Sequence, residues 1–273
     1  MAETKAFYDP AKTYDDNFDN GPFLVGGDDK PYTQKGEPRF TFLGKPLYSP
    51  FGIPAGPLLN SNYTRYVFER GFDAVVYKTQ RSVSFPVNEF PNILFLDIDG
   101  DLTLEKASKP LLGKSKSTLT AKKFSITNSF AVPSRGPEFW VPDLKKAISY
   151  QGKGQLLISS VQGTIQDGFS DDDYFEDFAV TAGMAKDAGA EAIEVNLSCP
   201  NVATEGVICY QYDSVVSICR KVKERVGDVP IIIKIGYFSA EQNELFERLV
   251  KDTSSYVSAI ASINTIAAPV VDE

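Results

Sequence analysis

The chain has 273 residues, 42% hydrophobic and 23% charged, an ordinary globular composition with enough length for one large domain or two small ones. Its formal net charge of -8 argues against nucleic acid as the main partner, because that surface must be basic. No apolar run approaches the roughly 18 residues that span a bilayer, and the three cysteines form neither a metal pattern nor an even disulfide set, so a cytoplasmic protein off the membrane and without a metal is expected. With no histidine in the chain, acid and base work falls to Cys, Lys, Tyr, Asp or Glu.

Residues 1–45 are rich in Asp, Gly, Pro and Lys without steady periodicity and read as an N-terminal extension that wraps or frays. From there strands and helices alternate. Short apolar strands are expected at 52–57, 74–79, 156–161, 192–197, 231–235 and 257–264, and helices at 64–70, 172–188, 212–226 and 240–251. Such alternation implies right-handed βαβ units and a parallel sheet. The interval 81–154 breaks the rhythm with many Ser, Lys, Pro and Gly residues and reads as an excursion over the strand ends. The fold expected over 46–273 is an α/β barrel of the (β/α)8 type with about six of its eight units in this chain, cut short at its C-terminal end. An open doubly wound sheet would call for Gly-x-Gly-x-x-Gly after the first strand, where the chain has Gly52-Ile53-Pro54-Ala55-Gly56-Pro57 instead.

The chemistry concentrates in Glu194-Val195-Asn196-Leu197-Ser198-Cys199-Pro200-Asn201, which ends an apolar strand with two amides, a hydroxyl and a thiol before Pro200 stops the ladder. An isolated cysteine is more often buried and inert. The surrounding amides favour a proton-abstracting Cys199 facing a flat, polar substrate. Other candidates also stand at strand ends. Ala55 and Gly56 let a planar ligand approach the backbone or merely form a tight turn. Lys78-Thr79 closes the second strand, and Lys234 sits inside Ile231-Ile232-Ile233-Lys234-Ile235, where an ammonium needs a ligand anion, a local carboxylate or a route to solvent. Asn128-Ser129 and Asn264-Thr265 offer amides that singly read as turn formers.

In this order, Phe51 to Pro57, Tyr77-Lys78-Thr79, Thr127-Asn128-Ser129, Asn196 to Asn201, Lys234 and Ile263-Asn264-Thr265 resemble the dihydroorotate dehydrogenase family, FMN enzymes on a TIM barrel. They are also similar to the related pyrimidine-reducing domain of dihydropyrimidine dehydrogenase. The resemblance runs from about residue 42 to 266. It implies an FMN ring against Ala55 and Gly56, with Lys78, Thr79, Asn128, Asn196 and Lys234 as its polar contacts. It implies a pyrimidine substrate held by Lys78, Asn128, Asn201, Asn264 and Thr265, with Cys199 as the base that takes the C5 proton of dihydroorotate while hydride leaves C6 for flavin N5. Arg135 is a second candidate for the substrate's carboxylate, and Cys209 a second candidate for the base. A cysteine base resembles the soluble class, which passes electrons to fumarate or, through a second subunit, to NAD; a homodimer or such an electron-transfer subunit is the partner implied. The family's phosphate-binding loops follow a seventh and an eighth strand, beyond the six read here. Reduction of uracil or thymine is the alternative activity, and a non-catalytic barrel or scaffold subunit the alternative of another class.

Overall fold

The computed structural model describes residues 7–23, 31–115, 125–198 and 207–272. Six strands form one parallel sheet: β1 (Gly52–Ile53), β2 (Ala74–Gln80), β3 (Leu156–Val161), β4 (Ile193–Asn196), β5 (Ile231–Lys234) and β6 (Ala259–Ala261). Their order across the sheet is their order along the chain, each strand pairing in parallel with the next. A doubly wound sheet reverses its strand order at a switch point. Here there is no reversal, which is the winding of a (β/α)8 barrel, and the curled sheet is part of one.

Helices α1 (Ser61–Phe68), α2 (Pro137–Ser149), α3 (Asp171–Asp187), α4 (Tyr212–Val226) and α5 (Asn243–Thr253) each follow the strand of the same number. Local chemistry fixes their ends. Asn60 caps α1 by accepting from the Asn62 N–H, and Ser170 and Asp173 form a reciprocal capping box at the start of α3. In α4, Val215, Ile218, Cys219, Val222 and Val226 make the buried stripe expected at a 3.6-residue period. Helices α3 and α4 meet at Gly183, where an added Cβ would fall 2.4 Å from Arg225 Nε.

Side chains alternate along the strands. One set, including Val75, Tyr77, Leu157, Ile193, Val195, Ile231 and Ile233, packs with the helices in the main core. The other set, Val76, Leu156, Ile158, Ala192 and Ile232, points into the barrel and joins Phe42, Leu43 and Leu47 of the antiparallel hairpin Phe40–Phe42/Lys45–Leu47. Two residues further along, the inward positions change character. Val76 gives way to Lys78, Ile158 to Ser160, Ala192 to Glu194 and Ile232 to Lys234, and all four polar residues are buried.

Several elements differ from the sequence reading. The first and last strands are shorter than expected, because Pro54 and Pro57 follow Ile53 and the chain beyond Ala261 leaves the sheet for the barrel mouth. The expected helix at 64–70 begins earlier, at the Asn60 cap. Helix α2 lies inside the interval read as an excursion. Pro137 occupies its first turn, where no N–H is needed, and burial of Trp140, Leu144 and Ala147 offsets Pro142 in its interior. The N-terminal segment carries a helix, Tyr14–Asn20, whose N-cap Thr13 accepts from the Asp16 N–H. A second, four-stranded sheet covers the strand ends. In it Phe95–Leu96 pairs antiparallel with both Leu111–Lys114 and Ser125–Ile126, and Val270–Asp272 runs parallel to Leu111–Lys114.

Candidate active site

The carboxyl ends of the strands open into a cavity of about 670 Å³, within the range of about 300–1,000 Å³ common for small-molecule sites. Ala55 and Gly56 just after β1, Lys78 and Thr79 in β2, Asn196 and Lys234 at the last positions of β4 and β5, and Asn264 and Thr265 beyond β6 all line it. Asn128 reaches it from the excursion. The register of β2 against β3 shifts between Tyr77 and Gln80. That irregularity lets consecutive Lys78 and Thr79 both face the cavity, as bulges re-aim side chains. Cys199 and Asn201 lie outside the described residues; Ser198, next to Cys199 in the chain, is buried.

The polar floor is tied together across strands. Thr79 Oγ1 and Ser160 Oγ share a hydrogen bond of 2.9 Å, and Ser160 Oγ donates to Glu194 Oε1 at 2.9 Å. Asn196 Nδ2 donates to Gln162 Oε1 at 3.0 Å, and the Ser198 N–H donates to Asn196 Oδ1 at 3.3 Å. Asn264 Nδ2 donates to the Ser198 carbonyl at 3.2 Å, joining the ends of β4 and β6. Lys78 Nζ donates to the Pro133 carbonyl at 3.2 Å, and Lys234 Nζ makes a long 3.5 Å contact with the Ala55 carbonyl. Burial pushes the Glu194 carboxyl above its ordinary range, against the pull of the Lys234 charge and the Ser160 hydroxyl.

The walls are apolar. Phe95 and Ile126 come from the covering sheet, Ile93 from the chain just before it, Phe130 and Val132 from the returning excursion, and Tyr8 and Tyr14 from the N-terminal segment. Arg81, fully buried at the end of the β2 run, fixes the returning wall: Nε donates to the Val132 carbonyl at 3.0 Å, and Nη1 to the Gly163 carbonyl at 2.7 Å and Thr164 Oγ1 at 3.1 Å.

The donor set suits a flat heteroaromatic ligand. Ammonium, amide and hydroxyl groups answer alternating N–H and C=O edges. At Gly56, φ is +137°, and a Cβ built there meets nothing within 4 Å, so the wall beside the cavity is bare backbone.

Two sequence candidates stand elsewhere. Arg135 does not line the cavity but pairs with Asp15 at 2.9 Å and Asp19 at 3.3 Å and covers the Phe18 ring. Cys209 is buried with its Sγ accepting from the Gly236 N–H at 3.4 Å, and burial raises its thiol. A raised pKa leaves little thiolate to act as a base. Cys219, in the buried stripe of α4, is pushed up to about 12 by burial. Glu194 opens the stretch singled out in the sequence but received no role there, and Ser160 was missed, although both share the inward register of Asn196 and Lys234. Tyr8 and Tyr14 come from a stretch with no periodic signal. Among the described residues no cluster of metal-ligating side chains occurs, and no helix is long and apolar enough to cross a membrane.

The family model described as dihydroorotate dehydrogenase matches residues 104–272. A dihydroorotate dehydrogenase of Dictyostelium discoideum is 38% identical over 278 residues, covering 98% of this chain and 74% of that protein. Two solved DHODH structures from Eimeria tenella share the fold. The ligand-free one aligns with a TM-score of 0.60 at 17% identity over 86% of this chain, and the complex with ferulenol with 0.59 at 18% over 81%. This chain spans 65% and 58% of their respective lengths.

Proposed function

This chain belongs to the dihydroorotate dehydrogenase family, and on that premise we propose that it oxidises dihydroorotate to orotate on a cofactor FMN bound at the strand ends. What supports the reading is the convergence of Lys78, Asn128, Asn196, Lys234 and Asn264 on one cavity from five separate parts of the chain. Bound FMN would supply the ring that accepts the hydride. Lys234 would bring positive charge to the cofactor's pyrimidine edge, where preorganised charge acts strongly because the side chain is buried. Ala55 and Gly56 give the ring a wall without side chains.

Lys78 meets the substrate's carboxylate while Asn128, Asn201, Asn264 and Thr265 read its ring edges. The reading is supported by the Asn264 amide, which donates to the carbonyl of Ser198, the residue that precedes Cys199. Cys199 holds the proton taken from substrate C5. The covering sheet and the apolar walls exclude water from that transfer. The test is the visible absorbance of the purified protein under anaerobic conditions, before and after dihydroorotate is added. A flavin band that bleaches is expected. A protein that takes up no flavin even when FMN is supplied would refute the reading.

A further inference from the structure

The polar floor contains a buried acid that the reaction just described leaves unused. Glu194 is 3% exposed and lines the cavity with Lys234, itself 7% exposed. Ser160 is its one hydrogen-bond partner among the described residues, and no direct ion pair joins it to Lys234. A carboxyl group placed this way has two states. Ionised, it offsets the Lys234 charge at a distance; protonated, it leaves that charge facing the ligand unopposed.

We propose that Glu194 is a positioning residue for the Lys234 charge, taking one proton from solvent when two electrons enter FMN in this cavity and releasing it on reoxidation. The inference rests on the FMN reading above. The balance is simple. Oxidation of a CH–CH substrate delivers a hydride, two electrons and one proton, to the cofactor and a second proton to the base, so once the base has returned its proton to solvent one additional negative charge remains in the cavity. With Lys78 paired to the ligand's carboxylate, a buried site holding Lys234, an ionised Glu194 and that new charge carries a net negative charge at high cost. Converting the Glu194 carboxylate to the acid restores neutrality. The Thr79–Ser160–Glu194 chain of 2.9 Å bonds fixes where the carboxyl sits, because Ser160 can donate to it while Thr79 donates to Ser160.

The surrounding groups leave this role to Glu194. Among the described lining residues, the only other charges are Lys234 from β5 and Lys78 from β2. The phenols of Tyr8 and Tyr14 are held above their ordinary value by burial and stay neutral. Burial likewise raises the Glu194 carboxyl above its ordinary range.

The experiment is an anaerobic redox-dye titration of FMN bound to the full chain, with excess benzoate as a non-reducible carboxylate for Lys78, over a series of pH values, with reduced-minus-oxidised infrared spectra of the same samples. The unaltered protein should take up two protons per two electrons over a window of pH and show a new protonated-carboxyl band on reduction. Glu194→Gln, which keeps the shape and the Ser160 hydrogen bond, should take up one proton per two electrons over that window and lose the band. Ser160→Ala removes a bond that favours the carboxylate and should move the window to higher pH, a shift that a merely structural role would not produce. Equal proton counts for the unaltered protein and Glu194→Gln would overturn the inference alone. Failure of the unaltered protein to take up FMN would overturn it together with the functional reading.

Discussion

Arg81→Met should loosen the returning wall of the cavity while keeping the aliphatic stem packed near Phe85, whose ring centre lies 3.9 Å from the guanidinium carbon. The substitution removes donors to the Val132 carbonyl at 3.0 Å, the Gly163 carbonyl at 2.7 Å and Thr164 Oγ1 at 3.1 Å. Hydrogen bonds from a charged donor contribute about 1.5–3 kcal/mol each. Against this stands the desolvation of a buried guanidinium, several kcal/mol that the variant no longer bears. The difference is a net loss of about 2–4 kcal/mol, which for a protein of this size lowers Tm by about 5–15 °C. Circular dichroism melting measures that fall. Orotate titration measures the second consequence: Val132 is two residues from Phe130 and four from Asn128, so affinity should drop even well below the melting transition. Arg81→Lys, with a single ammonium, should recover part of both effects. A Met variant that melts within about 2 °C of the unaltered protein and binds orotate equally would refute the reasoning, because the three contacts would then contribute nothing net.

Cys199→Ser should slow proton abstraction and move the activity optimum to higher pH, since a hydroxyl is a far weaker acid than a thiol, whereas Cys209→Ala should leave the pH profile in place; the opposite pattern in paired pH–rate profiles would transfer the base to Cys209. Lys78→Met should raise KM for dihydroorotate far more than for dihydrouracil, which lacks the carboxylate, and equal effects would remove Lys78 from carboxylate recognition. The raised Glu194 carboxyl makes the folded state bind its proton more tightly than the unfolded chain does. Its contribution to stability is therefore fully present below the ordinary glutamate range and is lost as pH rises through the folded value. Urea titrations should accordingly find Glu194→Gln increasingly stabilising relative to the unaltered protein as pH rises, and parallel pH curves would show that the carboxyl is not perturbed.

Much of the barrel was legible because its signals are local. Apolar runs bounded by glycine and proline mark β2 to β5, and an ammonium inside Ile231–Lys234 announces a buried charge in need of a partner. The same argument applies to Glu194, an acid inside an apolar strand, but the amides and thiol that follow drew the chemistry downstream of it. Helix α2 was hidden by Pro137 and Pro142, which read as breakers until Trp140, Leu144 and Ala147 are seen to be buried. The covering sheet was beyond local reading. Its Leu111–Lys114 strand pairs with Val270–Asp272 from the far side of the chain, and parallel pairing over such a separation leaves no periodicity in either segment. Arg135 misled for a related reason: a cation in the excursion looks available until Asp15 and Asp19 arrive from the N-terminal helix.

The position of the chemistry follows from one change along the inner face of the sheet. At Val76, Ile158, Ala192 and Ile232 the strands fill the barrel with aliphatic volume, and the Phe40–Phe42/Lys45–Leu47 hairpin seals that layer from below. Two residues on, Lys78, Ser160, Glu194 and Lys234 occupy equivalent inward positions in the layer above. Polar groups at that depth must find partners in one another or in a ligand. Ser160 and Glu194 satisfy each other in part, Lys78 is shared with the Pro133 carbonyl, and among the described residues Lys234 has a long contact with the Ala55 carbonyl. An electron-rich ligand edge seated against Lys234 would add a partner to a buried ammonium whose contact with the Ala55 carbonyl is long.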